Sequence, residues 1–128
     1  MQKAGVKTRA IRFFSKKNDK MICVHSAMAR DYAKWLEEQP WVSRYETDVP
    51  LTSDYLAHVS RVDIRHSYFD TAWLTDCLIQ YTDGRKGVRE IIDAQRMCKR
   101  AEIEKLELSR RYWSGLDISD WKIIIGGE

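Results

Sequence analysis

An Asp-Gly pair at Asp83 and Gly84 separates two runs of β-formers, residues 77–81 and 88–92. Asp-Gly between such runs is the strongest short-range signal for a tight β-hairpin, because the turn needs positive φ and the flanking residues prefer extended backbone. A hairpin here fixes much of what the chain can become. It sets Asp76 at the opening of one strand and Glu90 inside the other. Two carboxylates brought together across a ladder are a ready site for a hard divalent cation such as Mg²⁺ or Mn²⁺.

The flanking segments supply the rest of a fold. Ser26 is a candidate N-cap for a helix over residues 27–38, where Met28, Tyr32 and Leu36 repeat at helical spacing before Pro40 stops it. Residues 41–51 read as a strand closed by Pro50, and alternation around Val59, Arg61 and Asp63 predicts a further strand over 59–64. A second helix is expected over residues 99–113, with Ile103, Leu106, Arg110 and Trp113 on one face and Gly115 past its end. The branched run before Gly126 reads as a buried strand running parallel to the second hairpin strand. The expected fold class is α/β, a mixed sheet flanked by two main helices.

At 128 residues the chain fits one domain, here residues 21–128 behind a basic N-terminal arm or strand of residues 1–20. No apolar run approaches the roughly 20 residues that cross a bilayer, so a cytoplasmic protein without membrane contact is expected. Cys23, Cys77 and Cys98 form no CxxC pair and read as reduced core thiols rather than a disulfide frame or zinc site. The net charge of +3 is modest but clustered. Lys3, Lys7, Arg9, Arg12, Lys16, Lys17 and Lys20 load the arm, and Arg96, Lys99, Arg100, Lys105, Arg110 and Arg111 load the last third. Such clusters suit a polyanion, and they suit a solvated tail and helix face equally well.

The element order, with an acidic residue opening one hairpin strand and Glu90 in the other, resembles the PD-(D/E)xK, restriction-endonuclease-like core. More closely, residues 24–125 resemble the N-terminal endonuclease domain of TnsA, a DNA-cutting subunit of heteromeric bacterial transposases. The likeness rests on the residues from His25 to Tyr32, from Trp41 to Glu46, from Leu74 to Lys86 and from Arg89 to Ile92. It implies a metal-dependent DNA endonuclease or nickase of a transposon or phage in a bacterial host, with DNA and a transposase or replication protein as partners. It implies Asp76 and Glu90 as ligands of Mg²⁺ or Mn²⁺. The chain departs from the pattern at three places. Thr75 stands where the family has proline, His25 where it has a helix glutamate, and Ile92 where it has lysine. Isoleucine cannot stabilise charge growing on a phosphate, so Lys99 is the expected displaced catalytic cation, with His25 as a general base or Mn²⁺ ligand. Arg96, Lys99, Arg100, Lys16 and Lys17 are the expected nucleic-acid contacts. Two alternatives stand beside this: a catalytically inactive pseudonuclease kept as a DNA-binding or protein-interaction module, and a small α/β interaction protein with no nucleic-acid role.

Overall fold

A computed structural model describes residues 1–6 and 9–126, which leaves Lys7 of the basic arm outside the described residues. The Asp83-Gly84 turn forms as its chemistry dictates. Gly84 takes φ +90°, and the Asp83 carboxylate accepts from the Arg85 amide at 3.0 Å. It joins β5 (Trp73–Tyr81) to β6 (Lys86–Asp93) in an antiparallel ladder from Cys77 opposite Arg89 to Gln80 opposite Lys86. β4 (Val42–Pro50) pairs antiparallel with the other edge of β5, and β7 (Asp120–Gly126) runs parallel to β6. A short β1 (Gln2–Lys3) completes a mixed five-stranded sheet by pairing with Trp73 and Leu74. β2 (Ile11–Ser15) and β3 (Lys20–Val24) form a separate two-stranded hairpin.

The pleat divides the core between two helices. Leu78 and Val88 face each other across the ladder and pack with Leu108, Tyr112 and Trp113 of α3 (Arg100–Ser114). Ile79, the next residue of β5, points the other way and packs with Ala33 and Leu36 of α1 (Ala27–Glu37). Ser26 caps α1 by accepting from the Ala29 amide at 3.0 Å. The fold is thus the α/β arrangement of a mixed sheet between two main helices.

Three expectations need correcting. The strand over 59–64 is absent: the chain runs instead through α2 (Ser53–Leu56), turns, and a 3₁₀ helix (His66–Asp70). Leu56, Ile64, Tyr68 and Phe69 plug the α3 cluster from this loop. Asp63 at φ +62° breaks any extended run, and Arg111 of α3 donates to the carbonyls of Ser60 and Val62 at 2.9 and 2.8 Å. The alternation was that of pegs in a tethered loop. The buried face of α3 is also rotated, with Ile103 exposed and Glu104, Leu108 and Ser109 turned inward. Glu104 accepts from the Arg65 amide and guanidinium at 2.6 and 2.7 Å, so polar residues occupy positions that a hydrophobic pattern assigns to the surface. Finally, Cys77 is buried, but Cys98 is exposed and is no core thiol.

Candidate functional site

The site lies where the edge of β5 changes partners. β6 holds that edge as far as Cys77 opposite Arg89, and β1 takes it over at Leu74 and Trp73. In the fork between them, the ladder's backbone bonds are replaced by carboxylates. The Asp76 amide donates to Glu90 Oε1 at 3.0 Å, and the Ile91 amide donates to Asp76 Oδ2 at 2.7 Å. Asp76 and Glu90 are therefore direct neighbours across the strands, and Glu90 reaches Ser109 of α3. Asp76 sits inside β5 rather than at its opening, because β1 and β4 extend the pairing past it.

One positive charge already sits between them. The Met1 ammonium lies 3.1 Å from Asp76 Oδ2 and 3.2 Å from Glu90 Oε1, shielded from solvent. Burial alone would lower its pKa, yet the facing Glu90 and Asp76 charges outweigh that and raise it to about 10. Glu90 has no exposed surface. Burial pushes its carboxyl up from the ordinary 4.5 to about 7, against the ammonium, which pulls the other way. Its second oxygen accepts from Thr75 Oγ1 at 3.0 Å and from the Ser109 hydroxyl. Trp113 and Trp121 donate in turn to Thr75 at 2.8 Å and to Ser109 at 3.0 Å. These four residues hold the Glu90 side chain in place, and the hairpin pattern alone did not point to them.

His25 stands beside this pair. Its Nδ1 lies 3.2 Å from the Arg9 carbonyl and its Nε2 3.1 Å from Asp48 Oδ2, so both ring nitrogens face acceptors. Asp48 falls across β4 from Asp76, since Thr47 pairs with Cys77 and Val49 with Thr75. Its φ of +53° interrupts the strand, and burial raises its pKa, with Asp76 adding to the effect. Sequence reading placed Asp48 only within the strand over residues 41–51 and gave it no role. A carboxylate just ahead of the strand-closing Val49-Pro50 was the available signal. Among the described residues no group of three or more His, Cys, Asp or Glu converges on one point. Asp76 and Glu90 are two carboxylates, fewer than such a group, whose oxygens both face one ammonium.

A cavity of about 470 Å³ opens onto Asp76, walled by Lys3, His25, Ile92, Arg96 and Lys105 among others. Ile92 is buried and offers only hydrocarbon to the cavity wall. Lys99 is an exposed N-terminal cap of α3 and does not line the cavity. Arg100 is also outside it, 3.4 Å from Glu104. Lys17 is committed elsewhere: its ammonium donates to the carbonyls of Gln39 and Val42 at 2.7 Å each, joining the end of α1 to β4. Lys16 is exposed in the β2–β3 turn. The fork therefore brings together Asp76, Glu90 and, one strand away, His25, with Arg96 at the rim.

Among the described residues no helix is long and apolar enough to cross a membrane. Compared with protein-family models and with curated proteins, the chain matches none.

Proposed function

We propose that this chain is a DNA-acting protein built on a TnsA-like nuclease core, in which Asp76 and Glu90 hold one Mg²⁺ or Mn²⁺ and which nicks or cuts DNA. The observation that carries the reading is the fork in the sheet, where two carboxylate oxygens from adjacent strands converge on a single cation position. The element order of helix, three antiparallel strands, helix and parallel strand supports it. So do the basic residues on the cavity wall, since a phosphodiester needs positive charge on more than one side.

The donor set suits a hard cation that takes oxygen ligands and keeps several waters. When bound, the ion would lower the pKa of a coordinated water and neutralise charge on the phosphate. The protein's own residues do the positioning. Ile91's amide fixes the Asp76 carboxylate, and Asp76's amide with Thr75 and Ser109 fixes that of Glu90. His25, which lines the cavity, would exchange a proton there once one ring nitrogen turns from the Arg9 carbonyl or from Asp48. The ammonium of Met1 and a metal ion exclude one another, so loading the site moves β1 aside. A transposase or replication protein of a mobile element, in a bacterial cytoplasm, is the partner this reading entails.

A second reading has an observation of its own. Glu90 is wholly enclosed, its cation position is filled by an ammonium group, and Ile92 replaces the lysine, as suits a retired site on a DNA- or protein-binding module. Incubation of supercoiled plasmid with Mg²⁺ or Mn²⁺ separates the two, run beside Asp76→Asn. Nicking that disappears in the variant supports the nuclease. Salt-sensitive DNA binding without cutting supports the pseudonuclease, and absence of both cutting and DNA binding overturns the DNA reading altogether.

A further inference from the structure

We infer that Lys105 is the phosphate-holding cation of this cavity, the role that Ile92 cannot fill and that Lys99 stands too far out to take. The inference rests on the DNA reading above. It begins from α3. Ser109 on that helix touches Glu90, and Lys105 lies four residues earlier, on the same helix face and one turn, about 5.4 Å, along the axis. Side chains on a helix lean toward its N-terminus, which carries the Lys105 ammonium away from Ser109 and into the cavity that Asp76 also lines.

Among the three cationic side chains on this wall, Lys105 is the one held in place. Its side chain is 22% exposed, against 63% for Arg96, and Lys3 is exposed. Its ammonium stands 5.4 Å from the centre of the Trp73 ring, which braces the chain, and 3.3 Å from Glu102 Oε1. Trp73 is itself the residue opposite Lys3 in the β1–β5 pairing, so the brace belongs to the fork. Glu102 acts as the resting partner of Lys105, released when a phosphate arrives.

The test compares Lys105→Met, Lys105→Arg and Lys99→Met in binding a short DNA duplex in Ca²⁺, over a range of salt, and in plasmid cutting with Mn²⁺. Methionine keeps the apolar contact with Trp73, and thermal melting checks that each variant folds. Lys105→Met is expected to weaken binding about 10- to 100-fold, the scale of one charge-assisted hydrogen bond, and to reduce the salt slope by about one phosphate contact. Lys105→Arg should recover most of both, and Lys99→Met, at a residue outside the cavity, should lose less than Lys105→Met. A merely structural role would leave the salt slope as it was. The inference is overturned if Lys105→Met binds with wild-type affinity and salt slope, if Lys99→Met suffers the same loss, or if the wild type binds no duplex. Wild-type binding that depends on Lys105 without any cutting would sink the nuclease reading alone and leave the phosphate seat standing.

Discussion

Replacing Glu90 by glutamine separates a cation site from a structural hydrogen-bond node. The carboxyl is held at about 7 where it would ordinarily titrate at 4.5, chiefly by burial. At pH 8, where it is ionised, that difference corresponds to about 3 kcal/mol of disfavoured charge in the folded state. Glutamine has the same shape and no charge, and the Thr75 and Ser109 hydroxyls can turn to accept from its amide. The Met1 ammonium keeps Asp76 at 3.1 Å and loses the Glu90 charge, a loss already contained in the raised pKa. The balance is a protein up to about 3 kcal/mol more stable than wild type at pH 8 without metal.

Because the folded-state pKa is raised, this group favours the folded state at low pH and loses that contribution as pH climbs from 4.5 through 7. The advantage of Glu90→Gln should therefore shrink toward zero at pH 5, where folded Glu90 already carries a proton. Urea denaturation at the two pH values reads both effects. Added Mn²⁺ should stabilise wild type and not the variant. A variant less stable than wild type at pH 8, or equally shifted at both pH values, would refute the account and make Glu90 a structural node.

Two further substitutions test the frame around the site. Lys17→Met removes both donors to the carbonyls of Gln39 and Val42, so we expect about 1–3 kcal/mol lost in urea denaturation, with an unchanged salt slope of DNA binding. Gly87→Ala puts a Cβ onto the Tyr81 hydroxyl and the Asp120 carboxylate, both partners of Arg89; a loss of about 1–3 kcal/mol by thermal melting is expected, and a neutral result would mean that this buried polar network yields easily.

The parts legible in sequence were those written by local chemistry. The Asp83-Gly84 turn, the Ser26 cap and the branched run of β7 each announce an element through backbone preference, and the register that sets Asp76 opposite Glu90 follows from the turn. What sequence could not show depends on long-range pairing. Nothing local says that Gln2 and Lys3 take over the edge of β5, which is what opens the fork and encloses the carboxylates. Nor does helical periodicity reveal that Glu104 and Ser109 face inward, because their partners, Arg65 and Glu90, lie 39 and 19 residues away. Of the two lysines, Lys105 lines the cavity and Lys99 does not. Asp48 stayed hidden for the same reason, its meaning set by Asp76 across the sheet and by His25.

The most direct measurement is a calorimetric titration of the protein with Mn²⁺, beside Asp76→Asn and Glu90→Gln. The account predicts one ion per chain in wild type, with proton release as the ammonium and carboxyl of the fork give way, and at least a tenfold loss of affinity in each variant. No binding at millimolar Mn²⁺, or binding that both variants retain, would contradict the assignment of Asp76 and Glu90 as a cation site.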